Sequence, residues 1–275
     1  MGASWKNPKT LLILMTVAMP LGFSVWNALL NNFAIERANF SGAEIGLLHS
    51  IRALPGFLAF TAVFLLLWLR EQTFALMSLA LLALGVAATG LFPTMLGLYI
   101  TTFLMSVGFH YFETLKQSLS LQWLSKAEAP AFLGKLISIG ALTSLCVYSG
   151  LWLLLEWLQL EFQTIYLIAG ALCLGLVVFM WTAFPQFEGG SPQRKQLILR
   201  KRYWLYYALT FMSGARRQIF VVFAGFLMVE KFGFSAANIA LLFLINHLIN
   251  TFVAPRVGHL IARIGERPML TVEYM

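Results

Sequence analysis

The chain has 275 residues, of which 60% are hydrophobic and only 11% charged, and its mean hydropathy is +0.80. A water-soluble domain carries about 25% charged residues, so this composition excludes an ordinary soluble globule and indicates an all-helical, polytopic membrane protein. The formal net charge of +8 requires no nucleic-acid partner, because Lys and Arg collect in the cytoplasmic loops of membrane proteins.

Eight apolar runs follow one another along the chain, each long enough for a membrane helix of about 20 residues. They cover roughly residues 10–34, 44–69, 73–91, 94–122, 131–157, 163–184, 203–229 and 235–256. The first run follows Lys6 and Lys9 but is too long for a signal peptide, so we interpret it as a first membrane helix. The two cysteines, Cys146 and Cys173, lie in apolar runs without metal-ligand spacing and predict neither a disulfide nor a metal site.

The basic residues between these runs predict the orientation of the chain. With the N-terminus in the cytoplasm, the outer segments hold only Arg37 and Lys231. The inner segments then hold Lys6, Lys9, Arg70, Lys126, Lys135, Arg194, Lys195, Arg200, Lys201, Arg202, Arg256, Arg263 and Arg267. This asymmetry satisfies the positive-inside rule and accounts for most of the net charge.

The polar stretch at 187–202 predicts a cytoplasmic linker that follows six spans in residues 1–186 and precedes an incomplete second half, 203–275. An internal repeat supports this division, since FSGAEIGLL at 40–48 and FSAANIALL at 234–242 share six residues at one constant offset. In both copies the serine is placed to cap a helix, and Ser41 with Glu44 fits a capping box. Two tandem six-helix halves would give this pairing of the second and eighth spans.

The stretch GHLIARIGERP at 258–268 resembles the cytoplasmic loop motif G-x-x-x-D-R-x-G-R-R of the major facilitator superfamily. Gly258, Arg263, Gly265 and Arg267 match, whereas Ala262 stands at the Asp position and Glu266 replaces a basic residue. The resemblance implies a twelve-helix transporter fold in which this loop latches helices on the cytoplasmic side. Against that fold, the chain is expected to be truncated after its eighth helix.

The fourth span places a polar residue at almost every turn of one helical face. These residues are Ser106, His110, Glu113, Gln117 and Ser120. Lys116 can pair with Glu113 on the same helix. The face predicts either a cavity wall in which Glu113 or His110 takes up a proton, or a hydrogen-bond network that only holds the bundle together.

Three other spans carry polar groups. His49 and Arg52 lie in the second span, where Arg52 could reach the outer mouth, pair with Glu113 or snorkel to the outer interface. Asparagine pairs one turn apart could hydrogen-bond either a solute or a neighbouring helix. These pairs are Asn27 with Asn31 in the first span, near Ser24, and Asn246 with Asn250 in the eighth, beside His247.

The seventh span has two arginines at its centre. Arg217 continues a polar stripe with Tyr206, Thr210 and Ser213 and is predicted to point inward, while Arg216 is rotated by about 100° from that stripe. Arginine does not lose its charge in a protein, so each requires an anionic partner. Glu113 is the only acid deep within the spans, which leaves either helices beyond this chain or an anionic solute.

We therefore expect a secondary active transporter in a bacterial inner (plasma) membrane, with the solute held between the two halves. Arg217 and then Arg216 would bind an anionic solute, assisted by the asparagine pairs, and Glu113 with His110 would couple a proton. The alternative is a receptor or assembly protein that does not transport. No enzyme motif is found, and we expect a monomer in the lipid bilayer without cofactor, metal or nucleic acid.

Overall fold

The computed structural model describes residues 5–125, 128–188, 200–249 and 271, and it describes the side chains of all these except 130–131 and 213–221. Every regular element in this part of the chain is helical. The helices are α1 Pro8–Ala38, α2 Gly42–Phe57, α3 Ala62–Leu65, α4 Glu71–Thr89, α5 Met95–Trp123, α6 Ala129–Glu156, α7 Phe162–Ala183, α8 Trp204–Glu230 and α9 Ala236–Ile249.

Six segments in this described part are long and apolar enough to cross a membrane. They are Pro8–Ala38, Gly42–Leu65, Glu71–Thr89, Met95–Trp123, Phe132–Glu156 and Phe162–Ala183. Each falls on one of the first six predicted runs, so the predicted all-helical membrane bundle is confirmed. Helix α8 is 27 residues long and covers the seventh run, and the described part of the eighth run is the apolar helix α9. The division into two halves stays a prediction.

Helix α1 forms the centre of the bundle and contacts α4, α5, α6 and α7. The Asn7 side chain accepts a hydrogen bond from the Thr10 amide at 2.9 Å, and Pro8 follows at a position where its missing N–H costs nothing. The helix ends at Asn39, whose φ of 53° is the left-handed conformation that asparagine tolerates at a helix C-terminus. Burial of α1 on several sides explains why most of its surface is apolar.

Small residues let α4 approach its neighbours closely. A Cβ on Gly85 of α4 would lie 2.6 Å from the backbone nitrogen of Met105 in α5. A Cβ on Gly170 of α7 would lie 2.6 Å from the Cβ of Ala87 in α4. Helices in a membrane associate through such close packing because lipid provides little hydrophobic driving force between them.

The second span is interrupted near its middle. Pro55 lies in α2, and a 3₁₀ turn over Leu58–Thr61 separates α2 from the short α3. Proline removes a backbone donor and clashes with the preceding turn, which explains a break at this point. The neighbouring helix stabilises the region, because the Ser106 hydroxyl of α5 donates to the Arg52 carbonyl oxygen at 2.6 Å. The 3₁₀ turn begins six residues after Arg52, which is less than two helical turns.

The two copies of the internal repeat begin their helices in the same way. Ser41 accepts from the Ala43 amide at 3.3 Å, and Glu44 accepts from the Ser41 backbone at 2.9 Å, which completes the predicted capping box. Ser235 accepts from the Asn238 amide at 3.2 Å at the start of α9. The predicted serine caps of α2 and α9 are thus confirmed.

Candidate functional site

The polar face of α5 divides into two packed ends and a more accessible centre. Ser106 and Ser120 are buried and donate to backbone carbonyl oxygens of Arg52 and Lys116, at 2.6 and 2.7 Å. Their hydroxyls are therefore engaged within the bundle and do not line open space. Gln117 is exposed, and the centre of the face consists of His110 and Glu113.

Glu113 is neutralised within its own helix. The Lys116 ammonium donates to a Glu113 carboxylate oxygen at 2.5 Å, with side-chain exposures of 20% for the lysine and 39% for the glutamate. Lysine and glutamate three residues apart on a helix meet without any help from the tertiary fold. The pair leaves Glu113 unavailable to Arg52, one of the partners that the sequence had left open.

His110 packs against the interrupted second span. A Cβ on Gly56 would lie 2.8 Å from the His110 Cε1 atom, so only glycine fits there without displacing the ring. His110 also makes an edge contact with Phe109, at 5.0 Å between ring centroids. Among the three residues of this contact, His110 is the ionisable one, and it lies beside the point where α2 breaks.

Arg52 has no anionic partner among the described residues, and the sequence analysis did not rank it as a site residue. Its guanidinium lies 5.9 Å from the centroid of the Trp26 ring. The Arg52 Nε atom is buried and its N–H donates to no described partner, and the buried His49 Nδ1 is likewise unpaired. Arg52 lies ten residues into α2, which is about 15 Å at 1.5 Å per residue, and thus near the middle of the membrane-length segment Gly42–Leu65.

Aromatic rings form a wall beside this arginine. Phe23 of α1 stacks on Phe109 of α5 with centroids 4.4 Å apart and planes at 19°. Phe23 also contacts Trp26 at 6.1 Å. Phe23 and Phe109 are half-buried, whereas Trp26 is fully buried. The wall therefore presents two ring faces or edges that remain accessible.

The predicted polar face of α1 lies against α6, which in turn contacts α9. The Ser24 and Ser144 hydroxyls lie 3.3 Å apart, and Tyr148 of α6 lies close to Ser24 and Asn27. On its other side, Tyr148 stacks against Phe243 of α9, at 5.2 Å, and contacts His247, at 5.3 Å. Asn27 thus takes part in a polar and aromatic contact between the first six spans and α9.

Further along α1, Asn31 and Asn32 contact α8 and the segment that follows it. The Asn31 Nδ2 atom would lie 2.8 Å from a Cβ on Gly225 of α8, and its Oδ1 atom is buried without a described partner. The Asn32 amide donates to the Phe234 carbonyl oxygen at 2.8 Å. Asn32, which the sequence analysis did not select, therefore joins α1 to the segment between α8 and α9.

Several predicted site residues lie outside the part of the chain whose side chains are described. They are Arg216, Arg217, Asn250, Gly258, Arg263, Gly265 and Arg267. The backbone of Arg216 and Arg217 belongs to α8. Asn246 lies exposed on α9 beside His247. The described residues bring Asn27 and His247 to one contact, through Tyr148, and His110 and Glu113 to another.

The first two residues of α4, Glu71 and Gln72, bind neighbouring segments through their side chains. Glu71 accepts hydrogen bonds from Ser118, at 2.5 Å, and from Gln122 of α5. Buried Gln72 donates to the Pro185 carbonyl oxygen at 2.9 Å and accepts from the Phe187 amide at 3.0 Å. These contacts fix the segment after α7 against the start of α4, and neither glutamate nor glutamine was predicted to do so.

The described residues contain no group of three His, Cys, Asp or Glu side chains that could hold a metal ion. No curated protein matches the chain by sequence. Among solved structures, the chain is similar to a crystal structure of the nucleoside transporter NupG, determined on a point mutant. The TM-score is 0.74 over 94% of this chain and 69% of that chain, with 17% sequence identity, so the likeness concerns the fold.

The sequence itself matches a family description over nearly its whole length. Residues 12–275 match the sequence model of the Major Facilitator Superfamily. The six membrane-length helices and the solved neighbour agree with a transmembrane transporter of small solutes. The chain therefore belongs to the major facilitator superfamily of membrane transporters.

Proposed function

We propose that the chain serves secondary active transport of a small anionic solute by alternating access, in a bacterial inner membrane with its N-terminus in the cytoplasm. The negative charge of the solute is inferred from the unequal pairing of two cations in the described membrane helices. Lys116 has Glu113 at 2.5 Å, whereas Arg52 has no described acidic partner. A solute anion would supply the missing charge.

The remaining acids do not compensate Arg52. All eleven acidic residues of the chain are glutamates. Apart from Glu113, each described glutamate lies within two residues of a helix end or between helices, as Glu36 and Glu230 do. A charge in the middle of a membrane costs about 2.5–3.5 kcal/mol on insertion scales, so an arginine kept there without an acid favours a binding role.

The solute would lie between the first six spans and the helices that follow. Asn31 lies against α8, and Asn27 lies close to Tyr148, which stacks on α9. Both would offer amide groups, with Asn246 and Asn250 on the other side. Arg217, with Arg216 as second choice, would contribute cations from α8. The buried, unpartnered Asn31 Oδ1 supports this position, because a buried polar atom is normally satisfied by some partner.

Alternating access requires the two groups of helices to separate on one side at a time. The hydrogen bond from Asn32 to Phe234 and the stack of Tyr148 on Phe243 are contacts that such a movement would break. With the proposed orientation, Asn32 and Phe234 lie toward the outer surface. The matched loop residues Gly258, Arg263, Gly265 and Arg267 would latch the cytoplasmic side.

Proton coupling would use Glu113, with His110 as a second group. Protonation of the Glu113 carboxyl would abolish its attraction for Lys116 and leave a second uncompensated cation beside the solute path. The net charge of the site would therefore be more positive when Glu113 is protonated, which would couple the binding of the anion to the binding of the proton. In liposomes holding the protein, Glu113→Gln is expected to abolish accumulation driven by a pH gradient while exchange of solute across the membrane persists.

The test of the proposed function is uptake by the reconstituted chain. Labelled organic monocarboxylates are expected to enter liposomes saturably, and Arg217→Gln is expected to reduce this uptake. A neutral nucleoside serves as the uncharged comparison, because the solved neighbour is a nucleoside transporter by name. Preference for the nucleoside would overturn the anionic assignment. The absence of flux for any solute would favour the alternative, a receptor or assembly protein.

A further inference from the structure

Arg52 and the aromatic wall beside it lie together where three helices of the first six spans meet. The contacts form a continuous series: Arg52 lies over Trp26, Trp26 touches Phe23, and Phe23 stacks on Phe109. Phe109 in turn touches His110. Three different helices, α1, α2 and α5, therefore contribute side chains to one site.

The position of Arg52 is fixed by its backbone. The Ser106 hydroxyl donates to the Arg52 carbonyl oxygen at 2.6 Å, and one turn later His110 fits against Gly56. These contacts hold α2 against α5 on both sides of the arginine. The guanidinium is thus presented by a rigid support, which reduces the entropy that a bound ligand must overcome.

The surroundings of the guanidinium restrict the charge and shape of its ligand. Because Arg52 is a single cation without a described counter-charge, we expect a ligand with one negative charge. The planar guanidinium can form two parallel hydrogen bonds to a carboxylate. The guanidinium lies over Trp26, and the half-buried Phe23 ring next to Trp26 stacks on Phe109. Such rings favour a flat apolar group in offset or edge contact over a hydrated inorganic ion.

We propose that Arg52 and the rings of Phe23, Trp26 and Phe109 form a binding subsite for an organic monoanion with a flat apolar body, of the aromatic carboxylate class. The carboxylate pairs with the Arg52 guanidinium, and the body of the ligand lies against Phe23 and Phe109. This inference rests on the proposed function, because it names the class of solute that the transporter would carry.

The test is equilibrium binding of labelled benzoate to the purified chain in lipid nanodiscs, with empty nanodiscs as the partition control. Saturable binding is expected. Benzamide, which keeps the ring but has no charge, and acetate, which keeps the charge but has no ring, should each compete at least about tenfold less well. Equal competition by acetate or sulfate would overturn the aromatic part of the subsite, and no saturable binding would overturn the whole.

Variants locate the site. Arg52→Gln is expected to weaken benzoate binding about 10- to 100-fold, and Arg52→Lys less, because lysine keeps the charge but not the fork. The matched control is Arg37→Gln, whose guanidinium pairs with Glu161 at 2.7 Å near a helix end and should bind benzoate like the unmodified chain. Unchanged binding by a folded Arg52→Gln variant would contradict the proposal.

The wall has its own variant. Phe109→Leu keeps an apolar side chain but removes one stacked ring, and it is expected to weaken benzoate binding more than acetate binding. Equal weakening of both would contradict a role for the ring. Uptake separates this inference from the proposed function: binding without flux overturns transport and leaves the subsite, whereas anion flux that Arg52→Gln does not change overturns the subsite and leaves transport.

Discussion

Lys116 and Arg52 are both cations within membrane helices, yet their environments are opposite. Lys116 meets Glu113 on its own helix at 2.5 Å, while the Arg52 guanidinium lies over the indole ring of Trp26. The first cation is balanced by the described chain and the second is not. Stability and binding should therefore respond differently when each is removed.

The largest effect on stability is expected at the Lys116–Glu113 pair, in which both charges belong to the same helix. Lys116→Gln leaves the Glu113 carboxylate without its partner in a partly buried position, and about 2–3 kcal/mol of unfolding free energy should be lost. Arg52→Gln removes a charge that has no described partner, so its unfolding free energy should stay the same or rise. Denaturation in mixed micelles measures both, and a large loss in Arg52→Gln would reveal an internal partner.

Gln72 extends the comparison to a neutral side chain whose amide both donates and accepts a hydrogen bond within the protein. Gln72→Leu removes both hydrogen bonds to the segment after α7 and should cost about 2 kcal/mol. Gln186→Leu, at an exposed position in that same segment, should change the unfolding free energy by less than about 0.5 kcal/mol. Equal effects of the two substitutions would show that the buried amide does not hold the segment.

Gly56 tests whether the support of Arg52 is as rigid as its contacts suggest. A Cβ at this position would lie 2.8 Å from the His110 ring, so Gly56→Ala should cost about 1–2 kcal/mol despite the better helix propensity of alanine. Gly134→Ala has open space within 4 Å and should be neutral or stabilising by about 0.5–1 kcal/mol. Thermal unfolding of the two variants should therefore shift in opposite directions, and a stabilised Gly56→Ala would contradict close packing.

Sequence alone predicted the helices well, because hydropathy and length decide whether a segment can cross a bilayer. It also predicted the caps of Ser41 and Ser235, since a cap depends on neighbours only two or three residues away. The break in the second span lies near Pro55, a residue type that membrane helices tolerate with a kink. Its extent, a 3₁₀ turn over Leu58–Thr61, reflects packing against α5 that no local pattern encodes.

The candidate site was predicted less completely. Periodicity places Ser106 on the same face of α5 as His110, but it cannot show that α2 covers the serine. Spacing allowed Glu113 to pair with either Arg52 or Lys116. The lysine three residues away forms the pair, because it needs no tertiary contact to reach the glutamate. Arg52 consequently became a candidate only when the positions of all described acids were known.

The smallest effect on stability is expected at an exposed ion pair, Lys9 with Glu128. Lys9 donates to Glu128 at 2.9 Å, and this hydrogen bond, with one from Ser125, lowers the pKa of the Glu128 carboxyl. A lowered pKa stabilises the folded state above the ordinary value of 4.5, and the contribution is lost as the pH falls through the folded value.

Lys9→Gln should therefore lower the thermal midpoint only marginally at neutral pH, since exposed ion pairs contribute little. The difference from the unmodified chain should disappear in acid, where Glu128 is protonated in both. Thermal scans at several pH values measure this difference. A gap that widens as the pH falls would contradict the assigned direction of the pKa shift.

The most direct measurement concerns the anionic partner of Arg52. Solid-state NMR can recouple a ¹³C-carboxylate label on benzoate with ¹⁵N-labelled arginine guanidinium groups in the reconstituted chain. A bidentate carboxylate–guanidinium pair predicts a carbon-to-nitrogen distance of ~4 Å and loss of this coupling in Arg52→Lys, which keeps the charge but removes the guanidinium. Coupling that persists in Arg52→Lys, or no coupling in the unmodified chain, would contradict it.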